Sequence, residues 1–169
     1  SRQVCQLTDS EQVQFIDVAE VRTGLSLLRM RADNIDTYAL SRDGATLAYC
    51  DGGAEVISLV DVTVPGIRQI DYACQAMLFL PGEARLLLSD GQVVDLQTGT
   101  TVGQFALAAS YNKFPFVFIR AERNYIIIGS QVFNLETGAW LVDLPFPANI
   151  YDIAITPDEL TLILLTDRG

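Results

Sequence analysis

The sequence contains no histidine, a single lysine (Lys113), a single tryptophan (Trp140) and three cysteines in 169 residues. Without histidine there is no Ser-His-Asp triad and no Cys-His pair. Cys5, Cys50 and Cys74 stand on separate runs with no C-x-x-C, so a thiolate zinc site is not expected. So sparse and odd a count reads as buried thiols in a reducing compartment, and a cytoplasmic location is expected. The absence of any Asn-x-Ser/Thr sequon agrees. No Gly-rich phosphate loop occurs: CDGG at 50–53 lacks a following Gly-Lys-Ser/Thr and reads as a hairpin turn. DSEQ at 9–12 and TPDELT at 156–161 are acidic without calcium-loop spacing. Asp33 and Asp36 read as a solvated connector in preference to an acid–base pair. No cofactor and no metal are therefore expected. Apolar runs fall short of the roughly 18 to 20 residues that cross a bilayer. The opening residues, SRQVCQLTDSEQ, carry no secretory pattern. A net charge of −10 repels phosphate backbones and anionic lipid, so neither nucleic acid nor membrane is an expected partner.

What the chain does have is apolar content and a repeat. Half the residues are hydrophobic and 19% are charged, a globular composition long enough for one sizeable core. SDGQVVDLQTGTTVGQF at 89–105 and GSQVFNLETGAWLVDL at 129–144 share one pattern. Each is a small turn, a short apolar run, Asp or Asn, Leu, a polar residue, Thr-Gly and a second apolar run. Thr-Gly also stands at Thr23-Gly24, with Pro65-Gly66 in the gap, so these glycines recur every 33 to 42 residues. Ile16-Asp17, Val60-Asp61, Val94-Asp95 and Phe133-Asn134 precede them. A second marker falls between: SRDG at 41–44, LPGE at 80–83, RAER at 120–123 and TPDE at 156–159. Two markers with the same mean spacing define a structural repeat.

Each period holds four apolar runs of about five residues, too short for helices and rich in Val, Ile, Tyr and Phe. Asp90-Gly91 between two such runs favours a tight hairpin. Several runs are apolar throughout, such as Tyr125-Ile126-Ile127-Ile128 and Leu162-Ile163-Leu164-Leu165. A strand apolar on both faces needs cover on both faces. Four-stranded meanders stacked as propeller blades supply it; a two-sheet sandwich leaves one face wet and predicts alternation.

The repeats resemble those of the WD40-like β-propeller superfamily over nearly the whole chain. SRDG and TPDE resemble that family's turn between its first two strands, and the four Asp or Asn pairs stand where the family has Trp-Asp. No period has Trp there, and the family's Gly-His pair is absent, so its His–Asp network cannot form. The resemblance implies the fold and selects no subfamily.

The fold class expected is all-β: a β-propeller of four-stranded antiparallel blades, about four of them visible, belonging to a larger ring. The approximate segments are 1–30 (partial), 36–72, 75–105, 115–144 and 150–169 (partial), all in one propeller segment, 1–169. A small closed ring of four or five blades is the alternative. Exposed blade edges would associate with the remaining blades, another chain or a copy. The function expected is a non-catalytic protein–protein interaction scaffold whose loop rim meets a partner protein or another domain of its own chain. Two connectors carry aromatics suited to contact, ALAASYNKFPF at 106–116 and PFPANIY at 145–151. The candidate contact residues are Tyr111, Lys113, Phe114, Phe146 and Tyr151. Arg29 and Arg31 read as salt-bridged residues of another connector. A propeller-based hydrolase or oxidoreductase with its catalytic groups largely elsewhere, or a purely structural ring in a large regulator, are the alternatives.

Overall fold

The computed structural model describes residues 3–10, 13–31, 35–51, 56–64, 66–73, 75–82, 84–107, 117–145, 150–155 and 162–166. Among them seventeen strands form five sheets, with one short 3-10 turn at Ala121–Arg123. The first sheet joins β1 (Gln3–Ser10), β2 (Val13–Glu20) and β3 (Ser26–Arg31) in chain order. The second joins β4 (Ile35–Leu40), β5 (Thr46–Asp51), β6 (Ile57–Asp61) and β7 (Ile67–Ile70). The third joins β8 (Met77–Phe79), β9 (Arg85–Leu88), β10 (Gln92–Asp95) and β11 (Thr100–Gln104). The fourth joins β12 (Val117–Arg120), β13 (Tyr125–Ile128), β14 (Gln131–Asn134) and β15 (Trp140–Asp143). β16 (Ile150–Ile155) and β17 (Leu162–Thr166) pair as a fifth. Every sheet is an up-and-down meander, as the hairpin signals require.

The chain divides into two compact units, residues 1–88 with 93–102, and residues 89–92 with 103–169. In the first unit the second sheet is covered on both faces. Ala48 and Cys50 of β5, with Ile57 and Leu59 of β6, pack with Met77, Phe79, Leu86, Leu88 and Val94 of the third sheet. Leu47 and Tyr49, the alternate residues of β5, pack with Ile16 and Val18 of the first sheet and with Val60. That is the physical reason Leu47 to Cys50 of β5 are apolar without a break: successive side chains enter two different cores. Cys50 is a buried thiol in one of them.

In the second unit Ile126, Ile127 and Ile128 of β13 are all buried, and so are Phe133 and Phe105. Those two rings meet edge to face, centroids 5.6 Å apart at 61°. The last strand of each four-stranded sheet is the exposed one. β15 is exposed along its whole length, including Trp140, Leu141 and Val142. Its pairing with β14 shifts register between Val132 and Phe133, which face Val142 and Trp140, so Leu141 is an extra residue in the ladder.

The two sequence markers are physical neighbours. The N–H of Val62 donates to the Ala45 carbonyl at 2.8 Å, Leu96 to Ala84 at 2.8 Å, and Leu135 to Asn124 at 3.0 Å. Each bond ties the turn after a sheet's third strand to the turn between its first two. In the second and third sheets that first turn carries Gly44 and Gly82 at positive φ. RAER has no glycine, and Asn124 takes the left-handed conformation there at φ 54°, which asparagine tolerates.

Candidate functional site

Tyr111, Lys113, Phe114 and Phe146 lie outside the described residues, as do Phe116, Asp33 and Cys74. Their connectors are bounded on both sides. The first leaves β11 through Phe105, Ala106 and Leu107 and reaches β12 at Val117. The second leaves β15 through Leu144 and Pro145 and reaches β16 at Ile150. Tyr151 therefore lies in a strand, not on the connector that carries Phe146. It sits at a register shift, between the pairs Ile150–Thr166 and Asp152–Leu165. Arg29 of β3 places its guanidinium over the Phe15 ring, 4.8 Å from the centroid.

Several of the described acidic groups are committed to turns. Asp95 Oδ1 accepts the N–H groups of Gln97 and Thr98 and the Thr98 hydroxyl, at 2.8 to 3.1 Å. Asn134 Oδ1 accepts the same three groups from Glu136 and Thr137 at 2.9 to 3.0 Å. Asp61 Oδ1 does so for Thr63 and Val64 at 2.7 to 3.1 Å. The backbone closes the turn from Gly99 to Asp95 and from Gly138 to Asn134, both at 2.9 Å, with each glycine left-handed near φ 70°. The sequence places Asp17 in this series, but Glu20 occupies the position. Gly24 closes onto the Glu20 carbonyl at 2.8 Å, and Glu20 Oε2 takes the Thr23 hydroxyl at 2.6 Å. Asp17 stands mid-strand, accepting the Ser26 hydroxyl at 2.7 Å. The shift of three residues is invisible to a motif that counts only Asp.

These bonds favour the ionised carboxylate. Asp95 is held below the ordinary aspartate range first by the Thr98 N–H, and Asp61 by the Thr63 hydroxyl. Asp43 is held down by the Ser41 hydroxyl at 2.6 Å and the Ala45 N–H. A folded pKa below the unfolded value gives stability that is present above about pH 4 and is lost as pH falls through the folded value. Histidine is absent, so no side chain titrates ordinarily between the carboxylates and the thiols. The urea midpoint is thus expected to be flat from about pH 5.5 to 8 and to fall below about pH 4. Asp95→Asn, which keeps the Oδ1 acceptor as Asn134 does, should shallow the acid limb. An equally steep limb in that variant would remove Asp95 from the account.

The glycines of these turns differ in their surroundings. A Cβ on Gly138 would run into the Gln104 carbonyl and come within 3.2 Å of the Phe105 ring. A Cβ on Gly99 would meet Ile70 at 3.4 Å. In both cases the turn is seated on the last strand of the preceding sheet. A Cβ on Gly66, at the matching place in the second sheet, would have nothing within 4 Å. Its turn, DVTVPG, is one residue longer than DLQTG and NLETG. On either side of it the first unit carries a cleft. One, of about 330 Å³, is lined by Leu27, Leu28 and Met30 of β3 and by Val60, Asp61 and Ile67. The other, of about 370 Å³, is lined by Thr46, Leu59, Asp61, Ile67, Arg68 and Leu96. Among the described residues no group of three or more His, Cys, Asp or Glu could hold a metal ion.

No family model matches the chain, and no curated protein does. Solved structures do. One is hydrazine synthase of Kuenenia stuttgartiensis, with TM-score 0.57 and 16% identity, covering 90% of this chain and 52% of that one. Another is the β-propeller domain of Cps50 (Swd1) from Myceliophteria thermophila, with TM-score 0.59 and 13% identity, covering 98% of this chain and 62% of that one. The chain thus spans between half and two thirds of the lengths of these two. The likeness shows a β-propeller fold of four-stranded antiparallel blades. At such identities it is a statement about the fold alone.

Proposed function

We propose that this chain is a non-catalytic interaction scaffold of the cytoplasm. Its connectors at 106–116 and 145–149, together with Tyr151 at the start of β16, meet a protein partner or another domain of its own chain through Tyr111, Lys113, Phe114, Phe146 and Tyr151. The observation that carries this reading is how the acidic groups are used. Asp43, Asp61 and Asp95 are held by turn hydrogen bonds, a structural task that leaves no poised acid–base pair among them. A blade whose strands are buried on both faces is a stiff mount for the loops between strands. Aromatic residues on such loops make efficient contacts. Hydrazine synthase is an enzyme by its name, yet a 16% likeness brings no activity with it.

The test is the double variant Phe114→Ala, Tyr151→Ala. Its melting temperature should stay within about 2 °C of the parent, as surface substitutions do. Proteins retained from a cell extract by the immobilised parent should be absent from the variant's eluate. A fall of about 8 °C or more would put those rings in a core, and unchanged retention would remove them from the contact surface.

A further inference from the structure

The turn that fails to seat leaves an opening with a definite chemistry. In the third and fourth sheets the turn glycine closes on the preceding strand. In the second, a Cβ on Gly66 would meet nothing, and the 330 Å³ cleft is lined by this turn and by β3. Its floor is core: Val60 and Val62 are buried, with Leu28 and Met30 packed against them. Its walls are exposed apolar groups, Leu27 at 38% and Ile67 at 60%. β3 is the edge strand of its sheet, a natural template for an extended segment. Asp61 lines the cleft and is exposed. Its Oδ1 takes all three turn bonds, and Oδ2 takes part in none of them. Arg68, on the strand that follows this turn, reaches the other way, to the Gln97 carbonyl at 3.3 Å and toward Asp95. Asp61 is the one charged residue lining the cleft, although Arg29 and Arg31 stand on the same strand, β3.

We infer that the cleft between β3 and the Asp61–Ile67 turn receives an extended segment of a protein partner in which an aliphatic side chain is followed by arginine or lysine. The aliphatic group enters between Leu27 and Ile67, and the cation meets Asp61. Specificity is a matter of sign: an acidic residue in the cation's place faces Asp61 and is rejected. This surface belongs to the first unit and shares no residue with the rim proposed above.

The probe is a fluorescein-labelled, acetylated Gly-Leu-Leu-Arg-Arg-Gly peptide, titrated by anisotropy into the intact protein, with a Glu-Glu version as counterpart. The Arg peptide should bind and the Glu peptide should not. Asp61→Asn should weaken the Arg peptide about five-fold with the protein still fully folded at the assay temperature, because the amide holds this turn in the fourth sheet. Leu27→Glu should abolish binding. Asp95→Asn removes the same charge one sheet away and should leave binding unchanged, as should the Phe114→Ala, Tyr151→Ala variant. Absence of binding up to about 1 mM, equal binding of both peptides, or equal effects of Asp61→Asn and Asp95→Asn would overturn the assignment. Loss of binding in the rim variant alone would do so as well, and would point to the rim.

Discussion

Alanine in place of Phe105 should lower the unfolding free energy by about 3 to 5 kcal/mol, the range for a buried phenylalanine. The ring is 2% exposed and stands edge to face with Phe133. It enters its site on a fixed backbone. The Phe105 N–H donates to the Gly91 carbonyl at 2.7 Å, and the Gln104 amide donates to the Asp90 carbonyl at 2.9 Å. A backbone so held cannot follow the lost ring inward, which keeps the cavity open and the cost high. The melting temperature should fall by roughly 10 °C at this chain length. A cycle with Phe133→Ala should give a coupling of about 0.5 to 1.5 kcal/mol from the ring pair. A single-variant loss under about 1 kcal/mol would mean the two aromatics do not anchor this part of the fold.

Gly138→Ala should cost about 3 kcal/mol, with Gly24→Ala as its control. Both glycines are left-handed, at φ 71° and 69°. An alanine in either place carries the same backbone penalty, about 1 to 2 kcal/mol. Only at Gly138 does the added methyl strike a carbonyl, that of Gln104, while at Gly24 nothing lies within 4 Å. The difference between the two variants therefore measures the close seating of the turn on the preceding strand. Urea denaturation of both should separate their midpoints clearly; coincident midpoints would mean the seating contributes nothing.

The blades were legible in the sequence because each rests on a local rule. Asp90-Gly91 makes a hairpin wherever it stands between apolar runs, and Gly91 is indeed left-handed at φ 90°. The unbroken apolar run in β5 called for two covers, and Leu47 and Ala48 find them in different cores. Glu20 shows the limit of such reading. The turn needs an acceptor four residues before its glycine, and a longer carboxylate serves, so the Asp-based motif settled on Asp17 instead. The candidate rim was less legible. Aromatics such as Phe114 and Phe146 sit in segments without periodicity, where spacing says nothing about facing. The cleft beside Asp61 was not legible at all. One extra residue in DVTVPG is plain to see, but that it unseats Gly66 from β3 depends on a neighbour more than thirty residues away.

The extra residue at Leu141 bears on how copies of this molecule behave in a crowd. β15 displays Trp140, Leu141 and Val142 on an edge, the kind of strip along which identical chains zip into fibrils. Zipping requires a straight ladder with even rungs. At Leu141 the rungs fall out of step, and Asp143 sets a negative charge at the strand's end, where the Trp140 indole N–H holds it at 3.0 Å. This apolar border is thereby bent and charged against its own duplicate.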